Sequence, residues 1–293
     1  TGEAIADFIW MADTSGSTNN DRGRITQAAQ SIFDELTNNG VDFRMAVVPH
    51  NENEIRFSAG SGGDLRGVGF TRSSLDPQFN ATTERNAFIA NLENRANQDG
   101  CEYGLDAVFH AVDDALPRTP SGSPEQRRKL REEATLAIIY ISDEHAQSVE
   151  EYSSCVNRPS QVGCSTGIRD MYSQGNSVCN DVLSSSEQSC VETIIQPYVN
   201  QLLAQGAIAF AQVIDPNPVS NCNVGQYACG NSRNEAGRGY IEVTAATGGS
   251  FYSPCSNNPG SSLQQIIDAV TGAASEYILS ETPISSTIKV GIT

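Results

Sequence analysis

The sequence is poor in positive charge. It carries 18 Lys+Arg against 35 Asp+Glu in 293 residues, a formal net charge of −17 at pH 7. That balance argues against a nucleic-acid surface, which needs clustered cations to displace counterions, and against docking on anionic lipid by charge. Histidine is scarce, with only His50, His110 and His145. No Ser–His–Asp order with a nucleophile elbow can be assembled from them. No apolar run approaches the roughly 20 residues of a membrane span. No leader peptide precedes Thr1, so a secreted protein would be represented here by its mature or trimmed form. There is no C-x-x-C pair. Gly60-Ser61-Gly62-Gly63 is not a phosphate loop, because no G-K-[ST] and no helix follow it directly.

What is present begins with eight cysteines: Cys101, Cys155, Cys164, Cys179, Cys190, Cys222, Cys229 and Cys255. An even count without metal-type spacing reads as disulfides, and so as an extracytoplasmic compartment. Cys222 and Cys229 are spaced to close a small loop. Cys155, Cys164, Cys179 and Cys190 are placed to staple the polar segment that contains them.

Hydrophobic residues make up 38% of the chain, enough to build a core. Continuous apolar runs predict buried strands at Ala6–Ala12, Val41–Val48, Thr135–Ser142 and Ala207–Ile214. Short strands are predicted at Glu54–Ser58, as an edge, and at Ser250–Ser253. Helical spacing predicts helices over Gly23–Leu36, Thr83–Asn97, Leu105–Leu116, Val191–Gln205, Tyr240–Thr247 and Ser262–Ser280. Pro197 is a candidate for the true start of the fourth of these. Glu125–Glu133 reads as a short charged helix. Alternating strands and amphipathic helices predict a doubly wound α/β fold with a mainly parallel sheet. One domain is expected over 1–282, with a Cys-rich insertion at about 146–190 and a second loop at about 215–238. Residues 283–293 alternate like a strand and read as the start of a segment that continues beyond Thr293.

In such folds, ligand sites form at the carboxyl ends of the strands. The first strand is followed by Asp13-Thr14-Ser15-Gly16-Ser17, and the most apolar strand by Asp143-Glu144-His145. If these strands are neighbours, carboxylates and hydroxyls meet at one edge. An all-oxygen set suits a hard divalent cation such as Mg²⁺, Ca²⁺ or Mn²⁺. Glu144, Thr14 and His145 are further candidates for contact with a ligand of that site.

DTSGS after DFIWMA, IIYISDE, and YIEVTAATGGSFYS together resemble the von Willebrand factor A, or integrin I, domain. The resemblance spans most of Asp7 to Leu279. It implies a sheet in the order 3-2-1-4-5-6 with one antiparallel edge strand, and a metal-ion-dependent adhesion site. Asp13, Ser15, Ser17 and Asp143 match that site's motif. The family's threonine ligand is missing from Gly100-Cys101-Glu102-Tyr103-Gly104-Leu105, and Glu102 stands in the corresponding place. A third carboxylate would favour Ca²⁺ over Mg²⁺. Asp7-Phe8 ahead of the D-x-S-G-S motif, Gly40-Val41-Asp42-Phe43-Arg44, Glu102-Tyr103-Gly104-Leu105-Asp106-Ala107 and Asp143-Glu144 resemble von Willebrand A surface lipoproteins of predatory and gliding Deltaproteobacteria. That likeness implies a lipid anchor upstream of Thr1 and an outer-membrane or secreted location.

The resemblance implies a binding module that presents Ca²⁺ or Mg²⁺ to a protein or surface ligand. The role would be that of a bacterial adhesin, in gliding motility or in attachment to a host or substratum, with other envelope or motility proteins as partners. No enzyme is expected. The alternatives are a metal-assisted hydrolase, with Glu102 or Glu144 as base, and a structural domain stabilised by its metal.

Overall fold

The computed structural model describes residues 4–13, 15, 18, 22–50, 65, 69–94, 103–120, 127–149, 183, 185–214, 236–252 and 259–274. Five strands form one sheet: β1 (Ile5–Ala12), β2 (Asp42–Pro49), β3 (Thr135–Ile141), β4 (Ile208–Gln212) and β5 (Phe251–Tyr252). Their order is β2-β1-β3-β4-β5, and every pairing is parallel. Among the described residues six α-helices flank the sheet: α1 (Arg22–Asn38), α2 (Ala81–Glu93), α3 (Gly104–Asp114), α4 (Ser185–Ala204), α5 (Tyr240–Ala246) and α6 (Pro259–Ala274).

Side chains alternate across the strands, so each face builds its own core. Ala6, Phe8 and Trp10 of β1 join Phe43, Met45 and Val47 of β2 against α1, α2 and α6. Ile9 and Met11 join Ala46, Val48, Ile138 and Tyr140 against α3, α4 and α5. The continuous apolar runs are explained by this two-sided burial. Gly40 stops α1: at φ 67° it takes the left-handed conformation, and Val41 N–H donates to Leu36 O at 3.1 Å.

The α/β class with a parallel sheet is as expected, but the strand count, order and edge are corrected. There are five parallel strands among the described residues, with no antiparallel edge strand among them; Glu54–Ser58, expected as a short edge strand, lies outside the described residues. A non-strand segment lies along the exposed edge of β2 instead. Thr71 N–H donates to Met45 O at 2.7 Å and its hydroxyl accepts from Met45 N, while Ser74 N–H donates to Phe43 O at 3.2 Å and its hydroxyl accepts from Phe43 N. Covering an edge in this way removes a template for strand addition.

Two further elements differ. The charged stretch after Pro124 is not helical over 127–133. Its backbone bonds run to distant partners: Phe70 N–H donates to Arg127 O, Leu130 N–H to Ala115 O, and Glu132 N–H to Thr119 O. The helix before β4 begins well ahead of Pro197 and continues through it. One buried stripe, Cys190, Val191, Ile194, Ile195, Tyr198, Val199 and Leu202, spans both sides of the proline and holds the helix against the core despite the missing N–H.

Cys190 is the only cysteine among the described residues, and it is disulfide-bonded. The other seven, and with them the expected loop staples, lie outside these residues. The two loop insertions are described only at their ends. Ala146 N–H donates to Arg238 O at 2.9 Å, and Gly237 N–H to Ile214 O at 3.0 Å. Arg238 Nη1 and Gly239 N–H both donate to the Glu242 carboxylate, which ties the end of the second loop to α5. The two insertions therefore start and finish beside one another, beyond the carboxyl ends of β3 and β4. No described helix is long and apolar enough to cross a membrane.

Candidate functional site

The register of the central strands sets the site. Ala12 pairs with Pro49 on one side and with Ile141 on the other, so β1, β2 and β3 end level. The next residues are Asp13, His50 and Ser142. Each continues the alternation of the face that packs on α3, as Ile9 and Met11, Ala46 and Val48, and Ile138 and Tyr140 do below them. A carboxylate, an imidazole and a hydroxyl are thus carried to one edge by strand periodicity alone.

The carboxylate of Asp13 is the hub. Ser15 N–H donates to its Oδ1 at 2.8 Å, closing a turn of the kind aspartate favours. Ser142 Oγ donates to its Oδ2 at 3.1 Å, and His50 Nε2 stands 3.8 Å from Oδ1. The backbone is tied in as well, since Asp13 N–H donates to Ile141 O at 2.9 Å. Thr18 Oγ1 donates to Ser15 O at 2.9 Å and fixes the curl of the loop. Ser142 Oγ also accepts from Glu144 N–H at 3.1 Å, which positions the turn carrying Asp143. Asp13, Ser15, Ser142, Asp143 and His145 are buried, and His50 is fully so.

The start of α3 closes the site from one side. Tyr103 N–H donates to His50 O at 3.0 Å. Gly104 is packed so tightly that a Cβ would stand 2.4 Å from Tyr240 Oη and 2.6 Å from Met11 Cε. Beyond Asp143, Ser148 Oγ donates to Asp106 Oδ2 at 2.6 Å and Tyr198 Oη donates to Asp106 Oδ1 at 2.8 Å. Asp106 thus joins the loop after β3 to α3 and α4.

Of the residues singled out in the sequence, Asp13, Ser15, Asp143, Glu144 and His145 lie at this edge, Glu144 half-buried. Thr14, Ser17 and Glu102 lie outside the described residues. Among the described residues, no three of His, Cys, Asp and Glu are grouped to hold a metal ion. His50, Ser142 and Thr18 were not picked out as site residues. The signal for them was positional: His50 comes two residues after the expected end of the second strand, Ser142 is the last residue of the expected third, and Thr18 belongs to the loop after the first.

No protein-family profile and no curated protein matches the chain. Several solved structures align along most of it. Proximal thread matrix protein 1 of the mussel byssus is 11% identical, with 91% of this chain and 48% of that one covered, at a TM-score of 0.41. The pilus adhesin SpaC of Lactobacillus rhamnosus GG, in its open conformation, is 10% identical, with 94% and 30% covered, at 0.46. An aerotolerance-related membrane protein of Bacteroides fragilis is 9% identical, with 91% and 99% covered, at 0.42. This chain therefore spans about half of the mussel protein and under a third of SpaC. Likeness at this level assigns neither family nor function.

Proposed function

We propose that the chain is a von Willebrand A-like binding module that carries a divalent cation at the carboxyl edge of its sheet and presents it to a protein or surface ligand. The observation that carries this reading is the convergence of Asp13, Ser15 and the Asp143 turn at the level ends of two adjacent parallel strands. Two buried carboxylates at one edge are costly without a compensating positive charge. Asp13 Oδ1 accepts from Ser15 N–H and Oδ2 from Ser142 Oγ, and each oxygen has a second lone pair to offer. That chemistry fits an oxygen-preferring dication.

In this reading Asp13 and Ser15 hold the cation, Asp143 adds charge from the next strand, and Ser17 and Glu102 complete the set. Ser142 orients the Asp13 carboxylate. A bound dication supplies a point of positive charge to which an oxygen donor of the partner can attach. The ends of the two insertions, at Ala146 and Arg238, flank the same edge, so the loops they open into would shape partner choice. The adhesive role, the extracytoplasmic setting and an anchor outside the chain belong to the same proposal.

The test uses beads coated with the protein and applied to protein, carbohydrate and glass surfaces. Attachment should require a divalent cation, reverse with chelator and fail for Asp13→Asn. Attachment indifferent to both chelator and the substitution would sink the reading.

A further inference from the structure

The end of β2 brings a nitrogen donor to the edge that the motif does not contain. His50 Nε2 lies 3.8 Å from Asp13 Oδ1, and the imidazole is fully buried. His50 reaches this place because it continues the β2 alternation of Ala46 and Val48, in register with Asp13 across the sheet. Its backbone is fixed too, since its carbonyl accepts from Tyr103 N–H.

Two donors bonded to one ion at about 2.1 Å each stand no more than about 4.2 Å apart. A separation of 3.8 Å lets a single ion touch both Asp13 and His50. The chemistry of the pair is also selective. Imidazole is a good ligand for first-row transition metals, whereas Ca²⁺ and Mg²⁺ prefer all-oxygen sets. Asp7, at the other end of β1, is held by the guanidinium groups of Arg44 and Arg131, which cannot ligate a metal. At the Asp13 end the ionic neighbour is a side chain that can.

We infer that His50 is a direct ligand of the cation and tunes the site toward a later transition-metal dication (Co²⁺, Ni²⁺ or Zn²⁺) over Ca²⁺ and Mg²⁺. The inference rests on the cation-site reading above. It departs from it in ligand set: Asp13 and His50 are the directly facing pair, and Asp143 acts from further out.

The experiment is titration of the metal-stripped full chain with Zn²⁺, Mn²⁺ and Ca²⁺, followed by pulsed electron paramagnetic resonance of the Mn²⁺ form. Wild type should bind Zn²⁺ at least tenfold more tightly than Ca²⁺. Its Mn²⁺ form should show imidazole ¹⁴N coupling that changes on [¹⁵N]histidine labelling, a readout that needs no variant. His50→Gln should lose the coupling and the Zn²⁺ preference while keeping Ca²⁺ binding. His110→Gln, within α3, should keep all three. Mn²⁺ bound at the Asp13 site without ¹⁴N coupling, or coupling that survives His50→Gln, overturns the role of His50 and leaves the cation site standing. No binding of any of these ions to wild type overturns both.

Discussion

Asp7 and Asp13 lie on the same face of one strand run, at its two ends, and are neutralised differently. Asp7 accepts from Arg44 Nε at 2.9 Å, Arg131 Nε at 2.8 Å and Arg131 N–H at 2.8 Å. Asp13 has a backbone amide, a hydroxyl and an imidazole. The first arrangement is closed: Arg131 also pairs with Asp42 at 2.8 Å, and the Arg44 guanidinium lies 4.5 Å over the Phe70 ring. The second leaves carboxylate lone pairs directed to the edge where ligands bind in such sheets.

Arg131→Met should separate the two ends. Removing one partner of a buried ion pair leaves Asp7 under-compensated and costs about 3–5 kcal/mol. Urea unfolding should show that loss, while cation affinity of the folded protein stays at the wild-type value. A loss below about 1 kcal/mol would mean that the network contributes little to stability.

Ser142→Ala removes the hydroxyl that donates to Asp13 Oδ2 and accepts from Glu144 N–H. Loss of an orienting partner of this kind lowers metal affinity by about 10–100-fold. Calorimetric titration should show that drop with the circular dichroism spectrum unchanged. Unaltered affinity would remove Ser142 from the site.

The strands and most of the helices were legible because burial on two faces writes itself as apolar runs and as amphipathic stripes. Thr135–Ile141 and Tyr240–Ala246 fell within a residue of their expected ends. The stretch 127–133 was misread because its charges suggest a helix, whereas Arg127 is spent on Phe70 O and Glu84, and Arg131 on Asp7. Such long-range pairings leave no local trace. Asp13 and Asp143 were visible through position after a strand. His50 was not, because Val41–Val48 ended in Pro49 and the register with β1, not any motif, brings the next residue to Asp13.

Tyr140 predicts an alkaline weakness. Burial, then the negative charge of Tyr198 and Asp106, raises its phenol far above the ordinary value of 10.0. The unfolded chain therefore ionises first, and above about pH 10 it binds fewer protons than the folded chain. This contribution to stability is intact below pH 10 and declines as pH rises, by up to about 1.4 kcal/mol per pH unit. Urea midpoints at pH 8 and pH 11 should fall further in wild type than in Tyr140→Phe. Equal falls would show that Tyr140 ionises freely in the folded chain.

Gly249→Ala should strain the β4–β5 junction. A Cβ there would stand 1.8 Å from Ala209 O, a backbone atom that moves only with its strand. The expected cost is about 1–3 kcal/mol, read as a lower thermal midpoint. An unchanged midpoint would place β5 further from β4 than described.

Whether Asp13 anchors a cation is decided by calorimetric titration of the metal-stripped chain with Mn²⁺, Ca²⁺ and Mg²⁺, wild type beside Asp13→Asn. Trp10 is the only tryptophan, is buried, and lies on the same strand run as Asp13, so its fluorescence reports independently that the variant is folded. Wild type should show one saturable site and a folded Asp13→Asn none. Equal binding by both proteins, or no binding by wild type, would mean that Asp13 holds no cation.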